Sequence, residues 1–250
     1  KESSAASDVY KRQDLLPHAS YELATYALAE LFTRKDEAEI AELRKAGRAI
    51  DAVHGQVPQL LQAGRTEAEV AHKLEKLILR EHSVIDFVIV GSGPNGANPH
   101  HSFSDRVLAE GEPVVVDIGG TLPSGYHSDC TRTYVVGGDL SQAPQDFQDA
   151  YAVLADAQAA GRAAAHPSNT AADIDAITRK AIAAAGWGDN FVHRTGHGIG
   201  LSTHEEPFIM EGNDLTLEEG MAFSIEPGIY LEGKWGMRCL LYTSDAADDS

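Results

Sequence analysis

The sequence has 250 residues, of which 43% are hydrophobic, and a formal net charge of −18. This length and composition predict a globular protein with a buried core. The acidity argues against a nucleic-acid partner, because phosphates need Lys and Arg. No apolar run reaches the roughly 20 residues of a membrane helix, and no signal peptide is evident. Cys130 and Cys239 form no disulfide framework, so we expect a cytoplasmic protein with no membrane partner.

We expect both ends of the chain to be foreign to the protein. The head, residues 1–13, and the tail, residues 239–250, can be translated from opposite strands of one DNA segment, and both resemble translated sequencing adapter. Such scars are set aside before the fold is considered. Residues 14–34 are interpreted as a remnant of a lost N-terminal domain or a linker, and residues 35–238 as one domain.

Two helices are predicted at the start of this domain. Apolar residues recur at helical spacing over 38–60, which indicates one long amphipathic helix that stops before Gly64. The segment Thr66-Glu-Ala-Glu69 has the pattern of a capping box, in which side chains satisfy the free amides of a helix start. The second helix is therefore predicted to run from there to about His82.

The rest of the domain alternates strands with helices. Strands are predicted at 87–90, 114–118 and 126–136, separated by a Gly/Pro/Asn-rich loop at 91–99 and a turn at 119–125. An Ala-rich helix at 143–165 and a helix from the Thr170–Asp173 capping box to near Gly186 follow. From Phe191 onward, strands alternate with Gly-rich turns. Helices mixed with antiparallel strands indicate an α+β fold.

Two carboxylates stand where apolar strands should have none. Asp117 ends the run Val-Val-Val-Asp, and Asp129 lies in the next strand. If the two strands pair as a hairpin, the carboxylates approach each other, and they repel unless a cation lies between them or one is protonated. The alternative stays open that one Asp pairs with Arg132 and that the other lies on the surface.

Three histidines and a glutamate mark the C-terminal part. His193, His197 and His204 lie in a segment too rich in glycine for a helix, and their spacing does not match the two-histidine zinc helix. Glu226 interrupts an apolar strand just before Pro-Gly, and a buried Glu needs a cation or a proton. Structural, hydrogen-bonded histidines and a water-facing Glu226 are the competing interpretations. Carboxylates with one imidazole suit Mn²⁺, Co²⁺, Fe²⁺ or Zn²⁺, and several carboxylates favour two ions roughly 4 Å apart.

Taken together, these motifs resemble the pita-bread metallopeptidases, a family that includes Xaa-Pro aminopeptidase, Xaa-Pro dipeptidase (prolidase) and methionine aminopeptidase. The resemblance covers about 35–238 and is strongest to the Xaa-Pro branch. The motifs that carry it are Gly196-His-Gly-Ile-Gly-Leu, His204-Glu-Glu-Pro and Ser224-Ile-Glu-Pro-Gly-Ile-Tyr. It implies a curved antiparallel sheet covered by helices, and residues 35–238 become the expected catalytic domain.

The resemblance implies a ligand set for two divalent ions, with Mn²⁺ favoured and Co²⁺, Zn²⁺ or Fe²⁺ open. Asp117 would bind one ion, Asp129 would bridge both, and His197 and Glu226 would hold the other. Two such ions activate a water molecule near neutral pH. Glu226 would serve as the general base.

The resemblance also implies a substrate side of the site. His100 looks like the histidine that contacts the bound peptide, with His101 the less favoured neighbour, and His204 like the histidine that polarises the scissile carbonyl. With Glu226, these two histidines are the expected catalytic residues. His193 and Arg238 look like supporting residues near the substrate pocket. The expected substrates are short peptides with proline in the second position. Whether the protein forms a homodimer is left open.

One departure from the family pattern bears on activity. The family motif continues after Gly-Met/Ile-Arg with Ile-Glu-Asp, whose Glu bridges both metals, whereas Arg238 is followed by Cys239-Leu240-Leu241. With Leu240 in place of that Glu, we expect this polypeptide to be nearly inactive. Two alternatives on the same fold are a non-catalytic peptide-binding module and a metal-free, creatinase-like C–N hydrolase. The presence of Asp117 and Asp129 argues against both.

Overall fold

The computed structural model describes residues 15–19, 24–239 and 241–243. The predicted head at 1–13 therefore lies outside the described residues, as do Leu240 and positions 244–250 of the predicted tail. The chain divides into two compact units, Lys1–Glu30 and Leu31–Ser250. Helix α1, Ala24–Thr33, begins in the first unit, and every feature below belongs to the second.

The second unit contains most of the helices of the described residues. They are α2 (Glu37–His54), the single turn α3 (Val57–Leu60), α4 (Glu67–Ile78), α5 (Gln145–Ala164) and α6 (Ala171–Ala184). Capping boxes at Asp36, Thr66 and Thr170 start α2, α4 and α6. The prediction of one helix over 38–60 is wrong, because Pro58 has no amide hydrogen to continue the ladder and sits instead in the first turn of α3. Helix α4 also ends earlier than predicted.

The first sheet is antiparallel, with strand order β1-β2-β3. Its strands are β1 (Val84–Ser92), β2 (Pro113–Thr121) and β3 (His127–Val135). Strand β2 runs through Gly119 and Gly120, which the sequence had placed in a turn. The rings of Phe87 and His82 fill the space that a Cβ would need at these two glycines. The glycines therefore serve close packing inside the sheet instead of a turn.

The second half of the unit forms two smaller sheets. Strands β4 (Gly196–Gly198), β5 (Glu205–Ile209), β6 (Phe223–Ile225) and β9 (Leu241–Thr243) have the order β5-β4-β6-β9. Strands β7 (Gly228–Leu231) and β8 (Trp235–Arg238) form an antiparallel pair. These helices and antiparallel strands confirm the predicted α+β class.

Three apolar clusters join the helices to the strands. Ile50 of α2 and Ile118 of β2 are fully buried in the first cluster, between α2, α4 and the first sheet. In the second, Phe147 of α5 packs edge-on against Trp235 of β8, with ring centroids 5.5 Å apart. The third joins Ile174 of α6 to β5 and β6. Within the described part of the chain, no helix is both long and apolar enough to span a bilayer.

Candidate functional site

Asp117 and Asp129 lie on one face of the β2–β3 hairpin. The register pairs Asp117 with Thr131 and Gly119 with Asp129, so the two carboxylates occupy neighbouring positions, as side-chain alternation predicts. Both are buried, with 6% and 4% of their surface exposed. The Thr131 hydroxyl donates to Asp117 Oδ1 at 2.6 Å. The interpretation of Asp129 as a surface residue is therefore wrong.

His197 lies in β4, which is held closely between two neighbouring strands. A Cβ at Gly196 would overlap the Ser224 carbonyl and one at Gly198 the Glu206 carbonyl, so glycine is required on both sides of His197. The His197 amide donates to Ser224 Oγ at 3.0 Å. Its Nε2 lies 3.3 Å from Asp129 Oδ2 and 3.0 Å from Glu226 Oε1. Strand β4 thus brings the imidazole between two of the predicted ligands.

Glu226 directly follows β6 and points into the same cluster. Its amide donates to the Thr195 carbonyl at 2.7 Å, and Ser224 Oγ donates to its Oε1 at 3.0 Å. Only 9% of its surface is exposed, so the water-facing alternative is wrong. Four strands of two sheets therefore deliver Asp117, Asp129, His197 and Glu226 to one buried cluster.

Arg238, at the end of β8, brings a positive charge to this cluster. Its Nη2 donates to Asp117 Oδ2, its Nε donates to Thr131 Oγ1 at 3.2 Å, and the same Nε lies 3.7 Å from Glu226 Oε2. Asp117 thus pairs with Arg238, and the Arg132 alternative is wrong because the guanidinium of Arg132 lies 3.8 Å from Asp51 instead. The family resemblance implies that Arg238 supports the substrate pocket. In the structure it contacts the carboxylates themselves and so lies closer to the centre of the cluster.

Burial and charge set the protonation of the cluster. Burial raises the pKa of Asp117, and burial together with the nearby Asp117 and Glu226 charges raises the pKa of Asp129. Burial also disfavours ionised Glu226, but His197 and Arg238 lower its pKa to about 2. For His197, hydrogen bonds to Asp129 and Glu226 outweigh burial and raise its pKa to about 10. Three carboxylates in one buried place create a strong demand for positive charge.

The predicted substrate-side histidines surround this cluster unequally. The ring of His204 packs against that of His197, with centroids 4.2 Å apart. Partial burial and the charge of His197 lower the pKa of His204, with His100 a smaller contributor. His193 Nε2 lies 2.9 Å from the Tyr230 hydroxyl. His204 and His100 are exposed, as groups that meet a substrate must be.

Sequence reasoning missed the side chains that hold these residues in place. Tyr230 is buried and its hydroxyl links His193 to Arg238 Nη1, at 3.3 Å from the latter. Asp175 of α6 accepts hydrogen bonds from the amide and hydroxyl of Thr195, two residues before His197. No hydrophobic periodicity in the sequence indicates a role for Tyr230 or Asp175. Tyr230 is visible only as the last residue of the Ser224–Tyr230 motif.

The donor set fits divalent cations in its chemistry. Three buried carboxylates and one imidazole are the ligands that hard and borderline metals prefer, and their clustered charge favours a cation. In the described segments, no group of three or more His, Cys, Asp or Glu side chains is arranged to hold a metal ion. His197 and Arg238 contact the carboxylates directly instead, and position 240 lies outside those segments. The fit to a divalent ion therefore rests on the types of donor present.

Comparisons with known proteins agree on one family. The sequence model described as metallopeptidase family M24 matches residues 41–239. The probable dipeptidase PepE of Mycobacterium tuberculosis is 55% identical over 229 residues, which are 90% of this chain and 60% of that protein. An Xaa-Pro dipeptidase of Lactobacillus delbrueckii subsp. lactis is 40% identical over 224 residues, which are 87% of this chain and 60% of that protein.

A solved structure gives the same result for the fold. The crystal structure of dipeptidase PepE from Mycobacterium ulcerans superposes with a TM-score of 0.84 at 53% identity, covering 88% of this chain and 58% of that chain. The chain therefore spans about 60% of the length of the curated relatives that it matches.

Proposed function

Since the chain belongs to metallopeptidase family M24 and has the pita-bread fold of that family, we propose that the protein is a two-metal dipeptidase that hydrolyses Xaa-Pro bonds. The observation that carries the proposal is the buried cluster of Asp117, Asp129, His197 and Glu226. Relatives with this fold are named dipeptidase and Xaa-Pro dipeptidase. A binding module or a metal-free hydrolase has no need of four clustered ligands, three of which repel one another.

Each side chain has a part in this proposal. Asp117, Asp129, His197 and Glu226 would hold two divalent ions, with Mn²⁺ favoured, and when bound these ions supply the Lewis acidity that activates water near neutral pH. Glu226 accepts the proton of the attacking water and passes it to the leaving nitrogen. His197 and Arg238 lower the pKa of Glu226, so its carboxylate is ionised and free of a proton near pH 7.

The exposed histidines act on the peptide. His204 stays neutral near pH 7, because its pKa is lowered, and its ring can donate a hydrogen bond to the oxyanion that develops on the scissile carbonyl. His100 contacts the bound peptide close to His204. A proline nitrogen has no hydrogen to donate, so the pocket must recognise the shape of the ring.

Position 240 sets a limit on the activity of this polypeptide. Leu240 lies between Arg238, which contacts Asp117, and Leu241, which pairs with Ile225 next to Glu226. A leucine offers no oxygen, and the family pattern has a bridging Glu at this place. The 250-residue chain is therefore proposed to bind two ions poorly and to be nearly inactive.

The test compares this chain with a triple variant that carries Cys239→Ile, Leu240→Glu and Leu241→Asp. Release of alanine from Ala-Pro is measured with and without Mn²⁺. We expect the triple variant to be faster by more than about a hundredfold, since even outer-shell changes at metal sites reduce activity by roughly 10–100-fold. The matched control carries Gln instead of Glu at 240 and should stay inactive. Equal and measurable activity of all three proteins would refute the role given to position 240. Absence of activity from all three would refute the proposed function.

A dipeptidase without a proline requirement is the second candidate. It is favoured by the name of the 55% identical relative, which is called a probable dipeptidase with no mention of proline. Comparing kcat/KM for Ala-Pro and Ala-Ala on the triple variant separates the two. A preference for Ala-Pro of tenfold or more, about 1.4 kcal/mol, supports proline recognition, whereas equal values favour the second candidate. Cleavage of Ala-Pro-Ala would indicate an aminopeptidase.

A further inference from the structure

Glu67 is a carboxylate buried away from the metal-ligand cluster. It is the first residue of α4, and none of its surface is exposed. An unpaired buried carboxylate is costly, so this side chain needs partners. Its two oxygens accept hydrogen bonds from Ser92, Asn95, His101 and Ser104.

All four partners belong to one continuous segment, which begins at Ser92, the last residue of β1, and is called the loop from 92 to 104 below. Glu67 Oε1 accepts from the amide and the hydroxyl of Ser92, both at 2.7 Å. Oε2 accepts from His101 Nε2 at 2.9 Å, and from the amide of Ser104 at 2.9 Å and its hydroxyl at 2.7 Å. Asn95 Nδ2 donates to both oxygens at 3.1 Å. The loop from 92 to 104 is thus closed around a single side chain.

These donors keep Glu67 ionised. Burial raises its pKa, but the hydrogen bonds from Ser92, His101 and Ser104 outweigh burial and lower the pKa below its usual value. The N-terminus of α4 also favours a negative charge in its first turn. A full set of donors around an anion gives a rigid anchor, because loss of any one leaves a buried charge less satisfied.

The anchored loop carries His100. His100 is flanked by His101, which binds Glu67 directly, and its own amide donates to Asn98 Oδ1 at 3.0 Å. Four residues separate His100 from Asn95, which also binds Glu67. The backbone that carries the exposed His100 ring is therefore held on both sides.

The same loop also touches the strand that ends at Arg238. The turn Gly93–Ala97 packs against β8, and the backbone of Gly96 lies so close to Gly236 that a Cβ on Gly236 would overlap the Gly96 carbonyl. A shift of the loop would therefore meet β8. This contact limits the loop to one position relative to the cluster.

We propose that Glu67 is a positioning residue: it holds the loop from 92 to 104 so that His100 meets the bound peptide. The proposal rests on the proposed function, because His100 is given its peptide contact there. Glu67 acts through His100 and touches neither the peptide nor a metal ligand. Its loss should therefore weaken peptide binding and leave the metal ions in place.

The first experiment uses the triple variant as the background and Ala-Pro as the substrate. We expect Glu67→Gln to raise KM by roughly tenfold with little change in kcat, as loss of a binding interaction does, and Mn²⁺ affinity to stay the same. Glu69→Gln is the matched control, since Glu69 lies exposed on the same helix turn and makes the same change of charge. Glu67→Asp keeps the charge and should raise KM less than Glu67→Gln does. It also serves as the test variant if the Glu67→Gln protein does not fold.

A double variant separates positioning from general stability. In the His100→Ala background, adding Glu67→Gln should change KM by less than about twofold, because the group that Glu67 positions is already gone. A further tenfold rise in that background would overturn the proposal. A joint fall of kcat and Mn²⁺ affinity would overturn it too, because Glu67 would then support the metal centre itself.

A second experiment needs no activity and uses the unaltered 250-residue chain. With ¹³C-labelled histidine, the ring signal of His100 is assigned by its loss in His100→Ala. Glu67→Gln should shift and broaden this signal while the signal of His82, which binds Ser128, stays unchanged. An unaltered His100 signal would overturn the positioning role, whatever the activity of the triple variant. An inactive triple variant would count against the proposed function alone.

Discussion

Replacing Lys35 with Met should destabilise the protein by about 3 kcal/mol, at the lower end of the roughly 3–5 kcal/mol for breaking a buried ion pair. Lys35 Nζ lies 2.6 Å from Glu205 Oε1, and their side chains are only 2% and 8% exposed. The change leaves the Glu205 carboxylate buried without its cation. The lower end applies because the Ser202 amide still donates to Glu205 Oε2 at 3.2 Å.

The measurement is urea unfolding followed by far-UV circular dichroism. The matched control is Lys234→Met, because Lys234 pairs with Asp146 at 3.2 Å but is 62% exposed. An exposed pair contributes at most about 1 kcal/mol. Adding Glu205→Gln to Lys35→Met should recover part of the loss, because the unpaired charge is removed with it. Equal costs for the two single variants, or a double variant less stable than Lys35→Met, would refute the reasoning.

Three smaller predictions concern stability. Burial lowers the pKa of His54 from 6.5 to about 4, so the unfolded chain binds the proton first as the pH falls. The free energy of unfolding should therefore decrease by roughly 2–3 kcal/mol from pH 7.5 to pH 4.5, and His54→Gln should lack this share of the pH dependence in urea unfolding. Asp175→Asn should cost on the order of 2 kcal/mol by leaving Arg179 and Thr195 incompletely paired, and an unchanged unfolding midpoint would contradict this. Thr66→Ala removes the cap of α4 and should cost about 1 kcal/mol, measured in the same way.

Features that depend on neighbouring residues could be predicted from the sequence. The capping boxes at Thr66 and Thr170 gave the starts of α4 and α6, because a cap is a hydrogen bond between residues three apart. Strand alternation placed Asp117 and Asp129 on one face of a hairpin. The turn predicted from Gly119 was wrong because a residue distant in sequence is involved. Gly119 lies in a strand, where the Phe87 ring occupies the space that a Cβ would need.

The assembly of the site could not be derived from spacing. Arg238 and Asp117 are 121 residues apart in the chain, and Lys35 and Glu205 are 170 apart. No periodicity connects such pairs, since packing of whole elements brings them together. The predicted ligand set came from family resemblance, and the role of Glu67 is visible only from the four loop residues that surround it.

The central claim is that Asp117, Asp129, His197 and Glu226 form one cation site. Titration of the triple variant with Mn²⁺, with free Mn²⁺ followed by electron paramagnetic resonance, tests it most directly. The account predicts two bound ions per chain, and loss of both in the same protein when Asp129→Asn is added, because Asp129 would be a ligand to both ions. Unchanged Mn²⁺ binding after Asp129→Asn would contradict the account.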